Sequence, residues 1–223
     1  MRLLAIETAT DICSVALYDG PGLLSEGTIY LPKMHAELLI VLIQQQLRNT
    51  ETDPGSLDAV AVSIGPGSFT GLRIGVSTAK GLIYQHNTDL LAVPTLAASA
   101  WSVRSVAGQV AVIHHSHRDY YFYAVYQVAP VLMEIIAPVR EELSGIVSGM
   151  DADLPAVVQA PPEKDLGKMI NNNILSTNAV QASNIGSLAV HQPQKWRVSE
   201  PYNLEPDYLR EYQAVKYSNP LLP

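Results

Sequence analysis

The 223-residue chain has little cysteine, little charge and no long apolar run. A single cysteine, Cys13, excludes an internal disulfide framework and fits a reducing compartment, so we expect a cytoplasmic protein. The longest dense apolar stretch is LLIVLI at residues 38–43, and a membrane helix needs about 18 such residues. The early acidic residue Glu7 is not typical of a signal peptide. We therefore expect no association with a membrane.

A surplus of basic residues is also missing. The chain has 14 Lys and Arg against 21 Asp and Glu, which gives a net charge of −7, and its cations are scattered. Proteins that bind nucleic acid directly usually carry a basic patch or stripe. What remains is an ordinary globular composition, 48% apolar, in a chain long enough for one large domain or two small ones.

Apolar runs and turns predict the elements of the first half. We expect three antiparallel strands within residues 2–31, followed by alternating helices and strands. The helices are predicted over residues 33–47, 70–85 and 95–103, and the strands over residues 58–64 and 90–93. Strands with intervening helices indicate the α/β class.

The second half has weaker patterns. They predict strands over residues 109–114, 120–128, 131–139 and 156–159, a helix over residues 180–190, and an irregular segment at residues 144–154. No internal repeat is evident. We place a boundary near residue 106, which predicts domains at residues 1–106 and 107–223.

A glycine-rich segment, SIGPGSFTGLRIG, spans residues 63–75. A nucleotide P-loop needs Gly-x4-Gly-Lys-Ser/Thr, but Gly65 and Gly71 are separated by five residues, and Leu72 and Arg73 follow. The pattern excludes a P-loop. The segment leads into a helix N-terminus, where backbone N–H groups could still bind an anion.

The spacing of the glycines suggests a second role. Gly71, Gly75 and Ala79 recur every four residues, so they share one helix face. Glycine inside a helix costs about 0.5–1 kcal/mol relative to alanine, and a stripe of small residues lets a neighbour approach closely. That neighbour could be part of the same chain or the helix of a partner.

The first predicted helix is apolar around its whole circumference at residues 38–43. A surface helix normally has one apolar stripe and one polar face. The outer side of this helix therefore needs a cover, and a partner protein is a plausible one.

Residues with catalytic chemistry are isolated. Ser68 is followed by Phe69, Thr70 and Gly71, so the Gly-x-Ser-x-Gly nucleophile elbow is not met. His115 and His117 would share one face of a strand and His114 the other. Two histidines without a third ligand make a weak metal site, so we expect no metal there.

Four segments, in order, carry a family resemblance. They are LLAIETAT at residues 3–10, the single His35 at the start of the first helix, GPGSFTGLRIG at residues 65–75 and VPTL at residues 93–96. Together they resemble the TsaB, or YeaZ, family, the bacterial subunit that pairs with TsaD to make threonylcarbamoyladenosine in tRNA. The second half matches only through RDYYFYAVY at residues 118–126 and EPDYLR at residues 205–210.

The resemblance implies an actin-like, ribonuclease-H-like fold of the sugar kinase, heat-shock-protein and actin superfamily. Such a fold has two lobes, each with a mixed sheet flanked by helices. The turn after the first strand faces nucleotide phosphate in active relatives. Here it would be a vestigial phosphate loop, formed by Glu7, Thr8, Ala9 and Thr10.

The resemblance also implies a non-catalytic scaffold. It would bind a TsaD-like catalytic subunit through the two helices of its N-terminal lobe, self-associate through the same surface, and be joined by a TsaE-like ATPase. It would contact tRNA only through the complex and bind no cofactor alone, since ATP and a metal belong to the partner subunits. The predicted partner interface consists of His35, Leu38, Leu39, Leu42, Gly71, Leu72, Arg73, Gly75 and Ala79.

Two comparisons with the family limit this prediction. TsaD-like chains carry a His-x-x-x-His metal pair, and the corresponding residues 94–100 here hold no ligand. TsaB relatives usually have Asp-Ala-Arg where this chain has His115, Ser116 and His117. Three other functions stay open at this point: an autonomous ATP-binding enzyme of the superfamily, a glycoprotease-like hydrolase, and a homodimeric regulator without a TsaD partner.

Overall fold

A computed structural model of the chain describes residues 1–209 except 32, 85, 107, 162–165, 167–169 and 171–172. The last residues of the EPDYLR match and of the predicted 70–85 helix lie outside this part. Within it, no helix is long and apolar enough to cross a membrane.

Five strands near the N-terminus form the first sheet. They are β1 (Arg2–Glu7), β2 (Cys13–Asp19), β3 (Gly22–Ile29), β4 (Ala59–Ser63) and β5 (Asp89–Val93). Their order is β3-β2-β1-β4-β5, with β1, β2 and β3 as an antiparallel meander and β1, β4 and β5 parallel. The central strands are buried on both faces, which explains their continuous apolar sequences.

Two long helices cover one face of the first sheet. They are α1 (His35–Asn49) and α2 (Phe69–Ile83). Leu39 and Ile43 of α1 share one apolar cluster with Val76 and Ile83 of α2. Because both helices pack on the same face, their outward sides form one continuous surface.

The second sheet repeats the strand order of the first. Its strands are β6 (Gln109–His117), β7 (Tyr120–Gln127), β8 (Met133–Glu142), β9 (Ala156–Gln159) and β10 (Ile174–Ser176). The order is β10-β9-β6-β7-β8, with β6, β7 and β8 antiparallel and β6, β9 and β10 parallel. A short helix, α4 (Leu143–Gly149), follows β8.

Further helices lie between and beside the two sheets. They are α3 (Thr95–Trp101), α5 (Ala182–His191) and α6 (Pro193–Trp196). The first turn of α5 is fixed to the first sheet, since the Ala182 N–H donates to Ser14 Oγ at 2.8 Å and the Tyr18 hydroxyl donates to Ser183 O at 2.7 Å. The largest apolar cluster contains residues of both sheets, so the main core lies between them.

The predicted fold class is confirmed, because two mixed sheets are each flanked by helices. The irregular segment predicted at residues 144–154 is wrong, since α4 occupies most of it. Its serines and glycines are poor helix formers, but burial of Leu143 and Ile146 beneath the second sheet stabilises the helix. Strand β10 was not predicted. The domain boundary stays a prediction, and residue 107 lies outside the described part.

Candidate functional site

The turn after β1 is built around a buried carboxyl group. Glu7 is fully buried, and its Oε1 accepts a hydrogen bond from the Ala9 N–H at 2.6 Å. Oε2 has no hydrogen-bond partner among the described residues. Burial raises the pKa of Glu7 to about 8, so the group is mostly protonated at pH 7. Glu7 therefore caps its own turn.

The glycine-rich segment packs directly on this turn. A Cβ atom on Gly71 would overlap Thr8 O, and one on Gly75 would overlap Thr8 Oγ1. Ser68 caps α2 by accepting from the Gly71 N–H at 3.2 Å, and its own N–H donates to Ala9 O at 2.7 Å. The close neighbour of the glycine stripe is thus the chain itself. That a partner's helix also packs along this stripe stays a prediction.

Most residues of the predicted partner interface hold the helices to their own sheet. His35 Nε2 lies 3.0 Å from Thr10 O and 2.9 Å from Ile12 O, which ties the start of α1 to the same turn. The others that are buried within the chain are Leu39, Leu42, Gly71, Leu72, Gly75 and Ala79. These residues are covered within the chain itself, and their part in a partner interface stays a prediction. Leu38 is half-buried and Arg73 is exposed.

The outward side of α1 nevertheless carries apolar residues. Ile40 is 47% exposed and Val41 is 51% exposed. Both belong to the run at residues 38–43 that predicts a covered helix. The run predicts that this helix is covered, but helical periodicity anchored on the buried Leu39 and Ile43 would have been needed to select these two exposed residues.

The three histidines of β6 do not converge. His114 is buried, and its Nε2 lies 3.0 Å from Ser99 Oγ, while burial lowers its pKa to about 3. His115 lies 2.9 Å from Arg118 O through Nε2. A bulge between His115 and His117 interrupts the alternation on which their predicted common face depends. Among the described residues, no group of three His, Cys, Asp or Glu could hold a metal ion.

A cavity of about 440 Å³ opens where the two sheets face each other. The turn after β1 contributes Ala9, Thr10 and Asp11 to its wall. The second sheet contributes His114 and Gln159, which lie side by side on β6 and β9. The predicted vestigial loop therefore faces a cleft between the lobes.

Comparisons with known proteins agree with this architecture. A family model described as TsaD, tRNA N6-adenosine threonylcarbamoyltransferase, matches residues 30–144. The tRNA threonylcarbamoyladenosine biosynthesis protein TsaB of Bacillus subtilis is 28% identical over 96% of both chains. TsaB of Escherichia coli is 35% identical over 57% of this chain and 55% of its own length.

A solved structure extends the similarity to the fold. YeaZ from Pseudomonas aeruginosa superposes with a TM-score of 0.79 at 25% identity, covering 93% of this chain and 99% of that one. The resemblance to TsaB, or YeaZ, proteins is confirmed over nearly the whole chain. The family model spans more than half of the 223 residues, so the chain belongs to the family described as TsaD, tRNA N6-adenosine threonylcarbamoyltransferase.

Proposed function

We propose that this chain is a non-catalytic subunit in the synthesis of threonylcarbamoyladenosine in tRNA. Its relatives in Bacillus subtilis and Escherichia coli are tRNA threonylcarbamoyladenosine biosynthesis proteins. In this role the chain docks on a TsaD-like catalytic subunit, and a TsaE-like ATPase joins the pair. Metal, ATP and the transfer step then belong to the partners, and tRNA is contacted through the complex.

The observation that carries the docking role is the exposed apolar pair on α1. Ile40 and Val41 lie beside each other on the outward side of a helix that is otherwise apolar toward its own core. Burial of the remaining exposed half of such a side chain against a partner contributes about 1 kcal/mol to the free energy of binding. The adjacent outward side of α2 extends this surface, which we call the α1–α2 face.

The non-catalytic role is supported at two positions where catalytic relatives bind phosphate or metal, because both have structural contacts in this chain. Glu7 turns its carboxyl group onto the backbone of its own turn. Residues 94–100 correspond to the metal-binding stretch of TsaD-like chains. Here all of them but the first lie in α3 and are buried, and Leu96 and Ala98 are fully buried. Both positions serve the fold of this chain.

Light scattering after size exclusion tests the proposal, with the chain alone and mixed with the TsaD-like and TsaE-like proteins of the same organism. We expect a larger complex with the wild type and its loss with Ile40→Asp. The matched control is Ile136→Asp on β8, because Ile136 is 42% exposed but lies in the second sheet.

ATP turnover in the same samples addresses the rival function. We expect no hydrolysis by the isolated chain. Hydrolysis by the chain alone, together with failure to join the TsaD-like protein, would favour an autonomous enzyme. A complex that tolerates Ile40→Asp as well as Ile136→Asp would place docking on another surface.

A further inference from the structure

Helix α2 carries an exposed cation, Arg73, whose side chain is held by aromatic residues. Arg73 is exposed on α2, and its guanidinium lies 4.0 Å from the ring centroid of Phe69. Its Nε donates a hydrogen bond to the Tyr208 hydroxyl at 3.0 Å. The rings of Phe69 and Tyr208 also contact each other, with centroids 4.7 Å apart. A flexible side chain is thereby confined by two aromatic residues.

Tyr208 is itself anchored to the first lobe. The Asp207 N–H donates to Ile64 O at 2.7 Å, and Asp207 O lies so close to Gly65 that a Cβ there would overlap it. The Leu209 N–H donates to Asp207 Oδ1 at 3.1 Å. The chain near residue 208 therefore lies against the glycine-rich segment and presents its tyrosine to α2.

The charge of Arg73 is not neutralised in the described structure. Aromatic rings and a hydroxyl group orient a guanidinium but carry no compensating charge. Among the described residues, no carboxylate lies within ion-pair distance of Arg73. In the described part of the chain only its Nε donates a hydrogen bond, and two parallel N–H groups of a guanidinium match a carboxylate.

We infer that Phe69 and Tyr208 present Arg73 to a carboxylate of the protein that docks on the α1–α2 face. The inference rests on the proposed function and names the chemistry of its partner. An exposed ion pair usually contributes little, in part because two long side chains lose conformational freedom. Here much of that loss on the arginine side occurs on folding, and exclusion of water at a docked interface would strengthen the new ion pair.

Titration of the TsaD-like catalytic subunit against variants of this chain tests the inference, at low and at high salt. Arg73→Gln is expected to raise the dissociation constant about tenfold at low salt and to make it less dependent on salt. Arg73→Lys keeps the charge but loses the planar fork, so only part of the affinity should return. Tyr208→Phe keeps the ring and removes the hydroxyl, and we expect a loss of about threefold with the salt dependence retained.

Arg140 provides a matched control. It lies 4.2 Å from the ring centroid of Tyr120 and donates from Nε to Ser116 Oγ at 3.2 Å, on the second sheet. Arg140→Gln removes the same charge from the same kind of setting. We expect it to leave the dissociation constant and its salt dependence unchanged.

Each result separates the inference from the proposed function. If Arg73→Gln binds like the wild type while Ile40→Asp disrupts the complex, the carboxylate contact is refuted and docking stands. If the wild type forms no complex, docking itself fails. If Arg73→Gln changes only self-association of this chain, the acceptor belongs to a second copy, for instance its exposed Glu37, and the inferred partner is wrong. If Arg73→Gln leaves the dissociation constant unchanged but weakens tRNA binding by the assembled complex, the inference also fails, and Arg73 is assigned to a phosphate.

Discussion

Each of the two lobes has a buried titratable residue toward the end of its central strand. Glu7 ends β1 and lies opposite Ser14 of β2, while His114 lies near the end of β6 opposite Phe122 of β7. β1 and β6 are the corresponding central strands of their sheets. Burial raises the pKa of Glu7 to about 8 and lowers that of His114 to about 3. Two residues of opposite charge type are thus both neutral at pH 7.

The lobes differ in what covers the sheet behind these residues. The first lobe has two 15-residue helices, and the helix between β8 and β9 of the second lobe has seven residues. Long helices present an outward side large enough for a partner, and α1 carries exposed apolar residues there. The comparison indicates that a shared topology fixes the cleft, while the helical layer gives the first lobe its proposed docking role.

The largest effect is expected where α2 meets the turn of the first lobe. Gly75→Leu would place a side chain against Thr8, which is itself fully buried. We expect a loss of about 3 kcal/mol or more in the free energy of unfolding, or no folded protein. Urea denaturation measures it. A variant that folds with wild-type stability but no longer binds the TsaD-like subunit would instead support the predicted interface role of Gly75.

The pH dependence of the first lobe should follow Glu7. Between pH 4.5 and 8 the folded carboxyl group holds a proton that the unfolded chain releases, so the contribution of Glu7 to the free energy of unfolding falls as pH rises through this range. One such group contributes at most about 1.4 kcal/mol per pH unit. Glu7→Gln removes the titration while its amide oxygen can still accept from Ala9.

The measurement is urea denaturation at one-unit steps from pH 4 to pH 9, and the result is the slope of stability against pH. We expect the negative slope to be absent in Glu7→Gln. Retention of the full slope in this variant would show that another group binds the proton.

The second lobe should show the opposite sign. The folded pKa of His114 is about 3, against 6.5 for an ordinary histidine, so the unfolded chain binds a proton that the folded chain does not. Stability should therefore fall as pH drops below 6.5. His114→Gln is expected to remove this loss, worth about 2 kcal/mol at pH 5.

The two residues offset each other in the wild type. Their opposing slopes overlap between pH 4.5 and 6.5, where we expect a nearly flat stability profile. Each single variant should expose the slope of the remaining group, and the double variant should lose both. Single variants that remain flat would refute the assignment to this pair.

The fold of the first lobe was predictable because its signals are local. The apolar runs of β1 and β4, and the glycine-rich segment before α2, identify these elements without tertiary information. In the second lobe, α4 has weak local propensity and depends on burial of Leu143 and Ile146. Local patterns could not identify it.

For the candidate docking site, the sequence predicts a surface region but not the contacts within it. The spacing of Gly71 and Gly75 predicts a close neighbour, but not that Thr8 is this neighbour. The hydrogen bond between Arg73 and Tyr208 joins residues 135 positions apart, and no local pattern indicates such a pair. Contacts of this kind depend on how distant segments fold back, as the chain near residue 208 does on the glycine-rich segment.

The smallest effect is expected at glycines with open space around them. A Cβ on Gly81 of α2 or on Gly149 at the end of α4 would meet nothing within 4 Å. Gly81→Ala should raise the free energy of unfolding by about 0.5–1 kcal/mol, because alanine loses less backbone entropy in a helix. Gly149→Ala should gain less, since a helix end frays. Denaturation of both variants beside Gly75→Leu separates the two reasons for glycine in α2, since only Gly75 is required by a neighbour. If Gly81→Ala destabilises the chain as Gly75→Leu does, helix geometry and not contact with Thr8 governs this helix.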